Sequence, residues 1–170
     1  MPANGATEAA KRARLIELQI EIYATIENAW LFPESNGVQG FLGIGPLMIV
    51  AERPSTGTFG RRADRLLYSL LTEYGAGNTH LTDVIKSRGR VDDPYPTNIA
   101  PDKAFFDREL DIVDPKRIIA FGDKVHDMLR FMLAGYGIPV MKTWHYATAG
   151  RWPQRAAIFS EQLRNACDLI

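Results

Sequence analysis

The spacing of apolar residues changes several times along the chain. Over residues 7–30, Leu15, Leu18, Ile22, Ile26 and Trp30 recur every three or four positions. That stripe predicts an amphipathic helix of about six turns. Residues 33–45 are Gly-rich and read as loop. Leu47–Ala51, LMIVA, is then apolar without a break, the pattern of a strand buried on both faces. It stops at Glu52-Arg53-Pro54-Ser55, charged and turn-forming residues that cannot continue a central strand. Residues 61–74 return to helical spacing, and 75–78 close that helix. Strand, polar turn, Gly-containing loop and helix make one βα unit.

The alternation continues. Residues 79–86 predict a second strand, 102–113 a helix, and 116–121 a third strand entering Gly122. Residues 123–133 predict a helix, 138–143 a fourth strand, and 153–168 a last helix with Pro153 in its first turn. Between the second strand and its helix, residues 87–101 hold three prolines and little apolar material. Such a long surface loop often carries function. A Gly-containing loop follows Trp144-His145-Tyr146. Neither repeats nor low-complexity segments occur. The expected fold class is α/β, a three-layer α/β/α sandwich around a four-stranded parallel sheet. It should form a single domain over 1–170, with 1–32 as N-terminal helix and lead-in.

A chain of 170 residues is long enough to bury roughly 70% of its unfolded surface. Its formal net charge is zero, so no global basic field announces nucleic acid, although a local basic face fits within a balanced total. The single cysteine, Cys167, excludes an internal disulfide and a Cys-rich metal site. The first residues lack the apolar core of a signal peptide, and no run approaches the ~18 residues of a membrane span. A soluble, cytoplasmic protein without a membrane partner is expected.

In open parallel sheets, ligands bind outside the carboxyl ends of the strands. Glu52 and His145 follow the first and fourth strands, and Asp83 lies close to the exit of the second. Together they would suit acid/base work or stabilisation of a leaving anion. A strand-end carboxylate such as Glu52 is about as often a cap or an exposed charge. A metal site from Glu52, Asp83 and His145 has no close ligand spacing behind it. His80 and His126 read as structural. Arg61, Arg62, Arg65, Lys86, Arg88, Arg90, Arg151 and Arg155 lie in or near the exit loops, as a phosphate-binding rim or as ordinary solvated charges.

Several of these stretches resemble motifs of the uracil-DNA glycosylase superfamily. AERPS at 51–55 is similar to its first motif, in the GEAPG form of the thermophile-type branch. GTFGRRADRLL (57–67) lies where that branch has a Pro-Phe-Val-Gly segment and a helix. LTDVIKSR (81–88) resembles its Thr-Asn-Val-Val-Lys-Cys-Arg strand, and residues 93–129 are the longest match. HYATAGR (145–151) sits where the family has its second motif, His-Pro-Ser followed by Leu-Arg. The resemblance covers about residues 45–165 and agrees with the fold expected above.

The resemblance implies hydrolysis of the N-glycosidic bond of a flipped, damaged or deaminated base in DNA. Glu52 would orient or activate the attacking water, and His145 would stabilise the anion left on the base. Phe59 would stack on the extruded base and Asp83 would read it. Ser55, Arg88 and Arg151 would contact the nucleic acid, Arg151 from the loop that fills the vacated stack. A monomer without cofactor is expected. The rivals are a non-catalytic nucleic-acid-binding member of the fold, and a hydrolase or binding protein for a free nucleoside or nucleotide.

Three departures from the family pattern carry consequences. Asp83 replaces the Asn that reads uracil; an ionised Asp is acceptor-only, so poor excision of uracil near neutral pH is expected. A carboxylate would instead suit an amino group such as that of cytosine or adenine. Tyr146 and Ala147 stand in place of Pro and Ser. The four cysteines that hold an iron–sulfur cluster in the thermophile-type branch have no counterparts, Ser87 standing at one position, so no cluster is expected.

Overall fold

The computed structural model describes residues 6–90 and 92–169. The extreme ends of the expected 1–170 domain, and residue 91 of the long loop, lie outside the described residues. The chain runs α1 (Glu8–Thr25), β1 (Leu47–Ala51), α2 (Arg62–Glu73), β2 (His80–Asp83), α3 (Ala100–Val113) and β3 (Arg117–Phe121). It continues through α4 (Asp123–Met132), β4 (Val140–Thr143), α5 (Tyr146–Ala149) and α6 (Pro153–Asp168). The four strands are parallel in the order β2-β1-β3-β4. The expected α/β/α architecture is the one observed.

Strand alternation divides the core between two faces. Ile49, Ala51, Leu81 and Phe121 meet Leu67 and Leu71 of α2 and Phe159 and Leu163 of α6. Met48, Val50, Ile118 and Ala120 meet Phe106 and Leu110 of α3 and Val125 and Leu129 of α4. Truncating one of these fully buried chains, such as Leu71 or Ile118, costs about 2–5 kcal/mol. Outside this sandwich, Leu15, Leu18 and Ile22 of α1 pack on Phe41 and on Phe105, Ile112 and Val113. The helix ends earlier than its stripe predicts. Ile26 is extended (φ −101°, ψ 119°) and carries the chain away to Trp30, whose N–H bonds the Lys86 carbonyl at 3.0 Å.

The strand order reverses direction at β1. β2 lies on one side of it and β3 on the other, so the crevice between the carboxyl ends of β1 and β3 is the topological switch point. Glu52 emerges on one side of that crevice. Gly122 emerges on the other at φ +90°, a turn open to glycine and strained for other residues, and α4 begins at the next residue. Gly150 makes a second close approach: a Cβ there would stand 2.9 Å from Ala63 Cβ. It lets the short helix α5, which forms where a Gly-containing loop is expected after Trp144-His145-Tyr146, seat against the first turn of α2.

Candidate active site at the carboxyl edge of the sheet

Asp83, the last residue of β2, is the register partner of Ala51, so Asp83 and Glu52 leave the sheet on neighbouring strands. The ladder continues briefly past both ends. Val84 N–H bonds Ala51 O, and Ile85 N–H bonds Glu52 O, each at 2.9 Å, which fixes the backbone that carries Glu52.

The Glu52 carboxylate is held from two sides. Lys124, in the first turn of α4, donates to Oε1 at 2.7 Å, spanning the switch point. Tyr95 donates its phenol to the same oxygen at 2.6 Å. Burial pushes the Glu52 carboxyl up, but the bonds from Lys124 and Tyr95 outweigh it and hold the group below the usual carboxylate range. Glu52 is therefore an anion at neutral pH. Tyr95 comes from the long 87–99 connection, which Arg53 also fastens through bonds to the carbonyls of Asp93 and Pro94. Neither Tyr95 nor Lys124 is among the expected site residues. Lys124 follows a strand exit just as Glu52 does, and that position is the signal that could have found it.

Asp83 has the opposite character. It is 3% exposed, and burial raises its carboxyl to about 8; Lys86 pulls it down, while Glu109 and Glu52 push it up. The acid is thus mostly protonated at pH 7. Burial is what the expectation of an ionised, acceptor-only Asp83 leaves out: its side chain shares the interior face of Leu81, where poor solvation opposes the charge. A protonated carboxyl carries an O–H donor beside a carbonyl acceptor, the same pair that an Asn amide offers.

His145 caps α5, its Nδ1 accepting the Ala147 N–H at 3.0 Å. In the neutral ring the proton must then sit on Nε2. Burial lowers the His145 pKa below its ordinary value, against an opposing pull from the Glu52 charge. The ring stacks on Tyr146, centroids 5.0 Å apart, and stands 6.0 Å from Phe121. Glu52, Asp83 and His145 thus stand at one edge as one carboxylate held ionised and two groups that burial favours in the neutral form. Among the described residues, no group of three or more His, Cys, Asp or Glu side chains is arranged to hold a metal ion. The single cysteine, Cys167, lies in the last turn of α6.

The other expected residues are less concentrated. Phe59 is half-buried, 5.1 Å from the Tyr68 ring and 6.1 Å from Trp30, and borders a hollow of about 270 Å³ with Gly60, Asp64 and Tyr68. Arg88 lies over Trp30 at 5.7 Å. Arg151 is exposed, as is Ser55, whose hydroxyl accepts from Gly57 N–H at 3.4 Å. A larger hollow of about 410 Å³ separates α2 from α5 and α6, with Arg62 and Arg65 on its wall. Neither of these two hollows is lined by Glu52, Asp83 or His145.

Lys86 does not belong to the basic rim. It is fully buried, its ammonium bonding Thr82 Oγ1 at 2.7 Å, Glu109 Oε1 at 2.6 Å and the Asp83 carbonyl. Two hydrogen bonds and one ion pair surround the ammonium, which is how a charge survives in a core. His80, also buried, bonds the other oxygen of Glu109 at 3.2 Å and is structural. His126 lies on α4, 3.9 Å from Asp127.

Among the described residues, no helix is long and apolar enough to cross a membrane. No curated protein matches the chain. The family model described as the uracil DNA glycosylase superfamily matches residues 41–167, a span that contains all four strands, Glu52, Asp83 and His145. The chain belongs to the uracil DNA glycosylase superfamily.

Proposed function

We propose that this protein is a DNA glycosylase that hydrolyses the bond between deoxyribose and a flipped base presenting a carbonyl beside an N–H. Uracil is the simplest such base. Ionised Glu52 orients a water toward the sugar carbon and stabilises the positive charge that develops there. The bonding pair of the C–N bond passes to the base. His145 donates Nε2–H to the base carbonyl and holds the resulting negative charge without first having to lose a proton. Protonated Asp83 donates to a carbonyl and accepts from the neighbouring N–H. The proton released by the water leaves through Glu52.

The observation that supports this reading is the meeting of an anionic Glu52, a neutral Asp83 and a His145 of lowered pKa at one sheet edge. Environments that push neighbouring titratable groups apart are the mark of divided acid and base roles. A free nucleoside as substrate has less behind it: residues 142–155 hold three cations and no carboxylate, a balance suited to a polymer of phosphates. Within the superfamily we assign the chain beside the thermophile-type branch, on the motifs at 51–55 and 81–88. It would act as a monomer in the cytoplasm, without an iron–sulfur cluster.

The deciding experiment incubates purified protein with end-labelled oligonucleotides carrying uracil, hypoxanthine, xanthine or a mismatch, followed by alkaline cleavage of abasic sites. Cleavage at uracil at pH 7, lost by at least about a hundredfold in Glu52→Gln, is the expected result. Release of no base from any strand would overturn the assignment.

A further inference from the structure

On the same edge as His145, two indoles lie open to solvent. Trp144, directly before His145, is 40% exposed, and Trp152, at the start of α6, is 55% exposed. Between them stands Arg155, its guanidinium 5.0 Å from the Trp144 ring centroid and 5.9 Å from that of Trp152. α6 holds this cluster in place: Gln162 Oε1 accepts the Trp144 backbone N–H at 3.0 Å, and Trp152 is the residue that precedes Pro153 of the helix. Neither Arg151 nor Arg155 has a carboxylate partner within 4.0 Å among the described residues. Large aromatic rings are ordinarily buried; two of them exposed around an unneutralised cation form a surface that is flat, apolar and positive at once.

We propose that Trp144, Trp152 and Arg155 form a stacking site for an unpaired nucleotide adjoining the reacting one, which gives the protein a preference for single-stranded over duplex DNA. The chemistry matches on both counts. Indole faces accept the π-face of any base, and Arg155 with Arg151 supplies the positive charge that tracks a phosphodiester backbone. A base in a duplex is stacked on its neighbours and cannot offer its face to either indole, whereas a single strand can. Trp144 is one residue from His145, so the stacked base belongs to a nucleotide near the flipped one. This inference rests on the nucleic-acid reading above, but not on catalysis.

The test measures fluorescence anisotropy of two labelled DNAs at one fixed ionic strength, an oligothymidylate and a blunt duplex, neither carrying a damaged base. The wild type should bind the single strand more tightly, with quenching of its indole emission. Trp144→Ala and Trp152→Ala should each weaken single-strand binding about tenfold, and duplex binding by less than about twofold. Trp152→Phe, which keeps an aromatic face, should retain most of the affinity. Circular dichroism checks folding, and if Trp144→Ala fails to fold, the more exposed Trp152 decides alone. Equal affinity for both DNAs, or equal losses on both in the variants, would overturn the stacking site while leaving uracil excision to be judged separately. Binding of neither DNA would overturn the stacking site and the nucleic-acid reading together. Selective loss of single-strand binding in a protein that excises no base would support the stacking site and sink only the glycosylase assignment.

Discussion

Tyr95 reaches across 43 positions of sequence to donate its phenol to Glu52 at 2.6 Å. Its ring also lies 4.6 Å from the Lys124 ammonium, which bonds the same carboxylate oxygen. One loop residue therefore contacts both members of the ion pair at the switch point. Tyr95→Phe keeps the ring and removes only the O–H. Because that bond helps to hold the Glu52 carboxyl down, its loss should move the Glu52 titration, followed by carboxyl-carbon NMR, to higher pH. Base release should slow by about tenfold to a hundredfold in kcat, with KM little changed, the value of one hydrogen bond to a charged group. An unchanged Glu52 titration with a lowered Tm would assign Tyr95 to loop packing alone.

The activity on uracil should follow a bell in pH. On the alkaline side, Asp83 loses its O–H near pH 8, and the rate should then fall about tenfold for each further pH unit. On the acid side the rate falls as Glu52 gains a proton and no longer orients the water, at a pKa below its ordinary 4.5. Asp83→Asn offers the same donor and acceptor at every pH, so it should keep the acid limb and lose the alkaline one. A wild type that excises uracil better at pH 9 than at pH 7 would contradict this, because Asp83 would then act as the ionised carboxylate.

Much of the fold is legible in the sequence, because β1 and α6 carry unbroken signals between clear stops. Glu52 and His145 are legible for a related reason: they are polar residues directly after apolar strands. Other features depend on distant partners. Lys86 reads as a surface cation until Glu109, on α3, is brought within 2.6 Å of it. The protonation of Asp83 follows from burial that only the assembled sheet creates. Four-residue α5 is too short to show a helical period. The stripe of α1 runs on through Ile26 and Trp30, although their backbone has left the helix to meet the exit of β2.

The buried network behind β2 should be brittle. Lys86→Met removes all three donors at once and leaves Glu109 charged in the core, faced only by His80. Loss of one partner of a buried pair costs about 3–5 kcal/mol, which urea unfolding would register. Adding Glu109→Gln to Lys86→Met should recover part of that loss, since the stranded charge disappears. A double variant no more stable than the single one would mean that Lys86 acts through its packing on Phe106.

The purified protein should be colourless and free of stoichiometric iron, since one thiolate cannot hold a cluster that uses four. A broad visible absorbance with bound iron would contradict this.

Asp83→Asn should also change stability, with a size that depends on pH. The ordinary carboxyl value is 3.8 and the folded one about 8. Below 3.8 the acid is protonated in both folded and unfolded chains, and it contributes nothing to the pH dependence. Between 3.8 and about 8 the unfolded chain releases the proton while the folded chain keeps it, so folding takes up a proton and stability falls as pH rises through this window. Above 8 the loss is complete, on the order of a few kcal/mol. Asn has no proton to exchange and escapes this loss, although its amide adds a constant difference of either sign. Comparing the Asp83→Asn gain at pH 4 with that at pH 8 cancels the constant. The gain should be markedly larger at pH 8. An equal difference in unfolding free energy at the two values would mean that Asp83 titrates normally, and the reading of uracil by a protonated acid would fall with it.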